Sequence, residues 1–132
     1  MHLNHLAIAV TDLERSTLFY QNLFAVQELR RQPYAVWFDL DGIILMLEAT
    51  DQGVSPSASG LNVLALQIDP TERSNWTERL NRLRIPIESE TAFSLYFRDP
   101  DGYRLAVSHY PQEASREIED KHSAGGHQAP RR

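Results

Sequence analysis

An imidazole near the start of the chain, His5, stands on a run from His5 to Val10 in which large and small side chains alternate. Imidazole is both a nitrogen ligand for divalent metals and a general base suited to neutral pH. His5 is therefore the candidate catalytic residue and a candidate ligand-binding one, with the neighbouring Asn4 as a ready hydrogen-bond partner for a purely structural role. Glu48 brings a carboxylate to the end of a second extended run. Near the other end of the chain Arg104, Ala106 and Ser108 share one face of a strand by alternation, and Arg104 offers a guanidinium to an anionic ligand. Gln67 belongs to the same class of face-lining polar residues, whereas His109 has the opposite parity from Ala106 and is expected at the helix side or the edge. There is no cysteine, which excludes thiolate metal sites, disulfides and a catalytic thiol.

The elements that must position these groups follow from periodicity. Leu6, Ile8 and Val10 alternate with His5, Ala7 and Ala9, the pattern of a two-faced strand. Thr11 to Glu14 has capping-box spacing and predicts a helix from about Asp12 to Leu23. Three strands are expected over Gln27 to Arg31, Tyr34 to Leu40 and Ile43 to Leu47, the last two joined through Asp41-Gly42, a hairpin signal because both residues tolerate positive φ. Residues 51–60 read as a Ser-, Gly- and Pro-rich linker.

The pattern then restarts. Leu61 to Asp69 lies over Leu3 to Thr11 at a constant separation of 58 residues, which sets Val63 opposite His5. Asp69-Pro70-Thr71-Glu72 opens a second helix running to about Arg84, and strands are expected over Ile85 to Ser89, Leu95 to Arg98 and Tyr103 to Ser108. Asp99-Pro100-Asp101-Gly102 repeats Asp39-Leu40-Asp41-Gly42. The fold class is thus α+β: two tandem βαβββ modules, about 1–50 and 61–110, forming a curved mixed sheet around a cavity with helices outside. Residues 111–132 form a polar tail, expected to be flexible, with a short helix around Ala114 to Lys121 as an option. The large residues of each first strand should meet the helices. His5, Ala7 and Ala9, and Val63, Ala65 and Gln67, should face the cavity, together with one of Trp37 and Phe38 and one of Tyr96 and Phe97.

The paired units, the opening NHLAIAVTDLERSTLFYQNLF and the late FRDPDGYRLAV resemble the vicinal oxygen chelate superfamily of glyoxalases, bleomycin-resistance proteins and extradiol dioxygenases over residues 1 to about 110. The resemblance implies a divalent metal held on the cavity faces of the first and last strands, where it acts as a Lewis acid on adjacent substrate oxygens. It also implies ligand positions. His5 matches the first; the second, usually histidine, is Val63; the carboxylate four residues after the turn glycine is Ala106, and its counterpart in the first module is Met46, a soft thioether. The metal set is therefore incomplete, with Glu48 as a candidate second ligand, and no cofactor is firmly expected.

The expectation drawn from this is a small-molecule-binding protein of the bleomycin-resistance-like type, its ligand lined by His5, Met46, Glu48, Val63, Gln67, Arg104, Ala106 and Ser108. The alternative is a metal-dependent glyoxalase-like lyase, isomerase or dioxygenase using His5 and Glu48, in which case a divalent metal is the cofactor. A domain with a filled cavity, serving as an interaction module, is a third reading. The resemblance also implies a homodimer. A net charge of −5 argues against nucleic acid as a partner, and the absence of a signal-like or 20-residue apolar stretch argues against membrane and for a cytoplasmic location.

Overall fold

The computed structural model describes residues 1–54 and 62–112; the expected tail helix at Ala114 to Lys121 and most of the linker lie outside the described residues. Two compact units emerge, the first Met1–Asn62 with Arg98–Tyr103, the second Val63–Phe97 with Arg104–Arg132. Each holds one four-stranded mixed sheet.

The first unit runs β1 (His5–Val10), α1 (Leu13–Phe24), β2 (Arg30–Gln32), β3 (Ala35–Leu40) and β4 (Ile43–Ala49), with sheet order β1-β4-β3-β2. β1 lies parallel to β4, and the other pairs are antiparallel. Leu45, Leu47, Val36 and Phe38 are fully buried on one face, where α1 contributes Tyr20 and Leu23. The β3–β4 connection is the two-residue turn Asp41-Gly42, with φ of 57° and 98°, as a primed hairpin turn demands.

The helix start departs from the capping-box expectation. Asp12, not Thr11, is the N-cap, accepting from Arg15 N at 3.0 Å, and Thr11 is drawn instead to Asp101. α1 ends at Ala25 with φ 54° and ψ 43°, a left-handed position where a Cβ crowds the backbone. Ala25→Gly is expected to stabilise the protein by about 1 kcal/mol, read as a higher midpoint in urea denaturation.

The second unit runs β5 (Leu64–Gln67), a 3₁₀ turn at Pro70–Glu72, α2 (Arg73–Arg82), β6 (Ser89–Glu90), β7 (Ser94–Arg98) and β8 (Arg104–Ser108), in sheet order β5-β8-β7-β6. Here the expected Asp69 cap forms, and the structure adds a full capping box: Asp69 accepts from Thr71 N and Glu72 accepts from Asp69 N. The strand expected from Ile85 shrinks to Ser89–Glu90. Arg84 turns left-handed at φ 60° and Ile85 N donates to Leu80 O at 2.9 Å, so these residues close the helix rather than extend a strand.

The turn Arg98–Tyr103 packs into the first unit through a dense polar network. The Asp101 carboxylate, 4% exposed, accepts from Thr11 Oγ1 (2.5 Å), Thr11 N (3.3 Å), Arg15 Nη2 (3.2 Å) and Ser16 Oγ (3.5 Å). The Asp99 carboxylate accepts from the buried Tyr20 hydroxyl at 2.6 Å and from the amides of Asp101 and Tyr103. At the matching positions of the second module, 58 residues on, Asp69 and Glu78 stand in place of Thr11 and Tyr20.

Candidate functional site

Strand register decides which chemical groups share a face. In the first unit His5 lies opposite Ile44 and, one strand further, Ile44 lies opposite Asp39; Ala7, Met46 and Trp37 form the next row; Ala9, Glu48 and Ala35 the third. His5, Ala7, Ala9 and Glu48 are exposed and Trp37 and Met46 half-buried, so this face is open, as expected for His5, Met46 and Glu48. The register also settles the aromatic pair: Trp37 is on the open face under the Arg30 guanidinium, 5.1 Å from its ring, and Phe38 is core. Asp39, legible in sequence only as part of a hairpin turn, shares the row of His5.

His5 Nδ1 lies 2.7 Å from Asn4 Oδ1. An amide oxygen only accepts, so Nδ1 carries the hydrogen and a neutral His5 presents Nε2 as acceptor or base. The contact read as a structural alternative thus leaves Nε2 free to act as a base.

One pairing must be corrected. Glu48 lies opposite Ala9, four residues along β1 from His5, or about 13 Å at the strand rise. Ligands of one ion lie about 2 Å from it, so within one sheet His5 and Glu48 do not form a metal pair. Both can border one extended ligand.

In the second unit β5 and β8 pair with Ala65 opposite Ala106 and Gln67 opposite Ser108, reproducing the Ala7–Met46 row of the first. The bonds Asp99 N→Tyr103 O and His109 N→Phe93 O set Tyr96 opposite Ala106. Arg104 stacks over Tyr96 at 4.1 Å and approaches Glu88 at 3.6 Å, so its guanidinium is held rather than loose at a rim. Ser108 Oγ is 2.8 Å from Ser94 Oγ. Val63 and Gln67 are exposed, but Ala106 is 1% exposed, so the lining expected of it is not open to a ligand. His109 is buried and meets α2, its Nε2 3.0 Å from Arg73 Nη1 and its Nδ1 bonded to Gln112 O, in keeping with its parity.

The residues do not fit a divalent ion at the family's positions. Val63 and Ala106 have no donor atom, Met46 is a soft donor, and among the described residues no three His, Asp or Glu side chains gather to hold a metal. Burial pushes the Asp99 carboxyl above its ordinary value against the opposing Tyr20 hydrogen bond, and burial with the Asp99 charge pushes Tyr20 well upward. No helix among the described residues is long and apolar enough to cross a membrane.

Comparison with known proteins agrees with the fold. The chain is 29% identical over 110 residues to the metallothiol transferase FosB of Lysinibacillus sphaericus, covering 78% of each chain. It is 32% identical over 112 residues to the glutathione transferase FosA of Serratia marcescens, covering 80% of this chain and 78% of that one. Among solved structures, a mutant of the fosfomycin resistance protein FosX from Listeria monocytogenes, complexed with Mn(II) and 1S,2S-dihydroxypropylphosphonic acid, superposes with a TM-score of 0.71 at 24% identity over 81% of this chain and 90% of that one. Lactoylglutathione lyase from Agrobacterium tumefaciens gives 0.68 at 21% identity, over 81% and 92%. These two likenesses speak to the fold. A family model matches residues 2–107, and the chain belongs to the Glyoxalase/Bleomycin resistance protein/Dioxygenase superfamily.

Proposed function

We propose that this chain binds a small polar molecule on the open face of the first sheet, through His5, Trp37 and Glu48, without a resident divalent ion. The observation that carries the reading is the donor set: the open face persists around His5, while valine and alanine stand at the positions where the family keeps ligands. A neutral imidazole with Nε2 exposed can accept a hydrogen bond or a proton from the ligand, and Asn4 holds its ring in that tautomer. Arg104, Gln67 and Ser108 are proposed as ligand contacts of the second sheet, and a homodimer is part of the same reading.

The relatives favour a second reading. FosB and FosA carry names of thiol-dependent transferases, and a FosX structure holds Mn(II). They support a metal-dependent enzyme more than a binder of the bleomycin-resistance type, and they make fosfomycin the first ligand to test. The experiment is a titration of the purified protein with fosfomycin and separately with Mn(II), alongside metal analysis. Saturable fosfomycin binding, weakened about tenfold or more in His5→Ala, with no stoichiometric metal, supports the first reading. One tightly held ion per chain, with Mn(II)-stimulated turnover of fosfomycin and glutathione that vanishes in His5→Ala, replaces it with the second.

A further inference from the structure

We propose that a cleft at the carboxyl ends of β1 and β4 is a separate binding site for a small, uncharged, ring-sized molecule carrying both a hydrogen-bond donor and an acceptor, of the amide or lactam class. Ala9, Thr50, Gln52, Gly53, Val54 and Tyr103 line an open cleft of about 320 Å³, at the lower end of the range of ligand pockets. β1 and β4 are parallel neighbours, and the carboxyl ends of parallel strands are where diverging connections leave room for a ligand.

The lining dictates the class. None of the six residues is charged, so an ion entering the cleft would surrender hydration without an opposite charge to pair with. Polar atoms are nevertheless at hand. Thr50 Oγ1 accepts from Gln52 N at 3.1 Å, which leaves its hydroxyl proton to donate, and the Gln52 carboxamide both donates and accepts. Ala9 and Val54 supply apolar surface, and the Tyr103 ring supplies an aromatic wall.

The walls are held independently of any ligand. Tyr103 donates its hydroxyl to Ala9 O at 2.9 Å and its amide to Asp99 Oδ1 at 2.8 Å, and Thr50 N donates to Val10 O at 2.9 Å. A site with pre-set walls spends less of its binding energy on ordering. Gly53 supplies no side chain to the cleft: a Cβ there meets nothing within 4 Å, and its backbone is not in the left-handed region. A larger residue at 53 is therefore compatible with the fold. The cleft begins at Ala9, whose cross-strand partner is Glu48, so it adjoins the far end of the face read for the polar ligand and stands four residues along β1 from His5, about 13 Å. The proposal stands whether or not that reading does.

The test uses benzamide as probe and benzoate as its charged counterpart of the same shape, followed by ¹H–¹⁵N NMR on the full chain. Benzamide is expected to give saturable shifts centred on Gln52, Gly53 and Val54, with an affinity of about millimolar for so small a ligand, while benzoate gives none at these residues. Gly53→Leu and Ala9→Leu should each weaken binding at least about tenfold, and His5→Ala should leave it unchanged. Equal binding of benzoate, shifts that do not saturate or lie elsewhere, or binding that survives both leucine variants would overturn the proposal. The benzamide–benzoate comparison on the unsubstituted protein decides the matter even if a variant does not fold.

Discussion

Asp101→Ala is expected to destabilise the protein by about 1.5–3 kcal/mol. The carboxylate is 4% exposed and gathers the Thr11 hydroxyl and amide, the Arg15 guanidinium and the Ser16 hydroxyl. Its removal takes a charged acceptor from the Thr11 hydroxyl and amide and from Arg15, which are exposed and can turn to water, and strands the buried Ser16 hydroxyl; hydrogen bonds to a charged group are worth about 1.5–3 kcal/mol. The total is bounded because Arg15 is 48% exposed and its charge can return to water. Asp101→Asn separates the two contributions. It keeps an oxygen for Thr11 but turns an NH₂ toward a donor, so its cost should fall between zero and that of alanine. Urea denaturation at neutral pH measures both; a loss below about 1 kcal/mol for alanine would mean that the network rearranges or that water replaces it.

Thr11 shows why part of this architecture was legible in the sequence and part was not. Its local context, a hydroxyl three residues before Glu14, has the spacing of a helix cap, and local spacing is all a sequence displays. The partner that wins, Asp101, is 90 residues away. The repeat, the two-faced first strands and the Asp41-Gly42 hairpin depend on short-range periodicity and turn chemistry, and these were readable directly. So was the parity of His109. Trp37 and Phe38 could not be separated by sequence because adjacent aromatic residues satisfy alternation in either phase; the pairing of Trp37 with Met46 fixes the phase. The pairing of His5 with Glu48 fails for a related reason. Alternation says that both face the same side, but only the parallel register of β1 and β4 says how far apart along the strands they stand. The loss of family ligands at Val63 and Ala106 is visible in sequence, whereas the burial of Ala106 required the sheet around it.

Tyr20→Phe is expected to cost about 1–3 kcal/mol at neutral pH, and the cost should shrink on acidification. The Tyr20 hydroxyl donates to Asp99 at 2.6 Å, and Asp99 is 5% exposed, so the substitution strips a donor from a buried carboxylate. The sign of the pH dependence follows from the direction of the shift. Burial raises the Asp99 carboxyl above its ordinary value, with the Tyr20 hydrogen bond and two backbone amides pulling the other way. A carboxyl raised in the folded state takes up its proton there before it does in the unfolded chain, so folding gains from this group as pH falls through the raised value. That gain is complete below the ordinary carboxylate range and is lost as pH rises. Removing the Tyr20 donor raises the carboxyl further, because the hydrogen bond favours the charged form. The phenylalanine variant should therefore lose most at pH 7 and approach the original protein at low pH, where a protonated Asp99 no longer needs an external donor to hold a negative charge. Adding Asp99→Asn to Tyr20→Phe should flatten the difference between the two pH limits, since the titrating group is gone. Urea midpoints for the parent and both variants, taken across the acidic to neutral range, provide the measurement. A deficit for Tyr20→Phe that grows as pH falls would show that the pair is held together by something other than the buried charge.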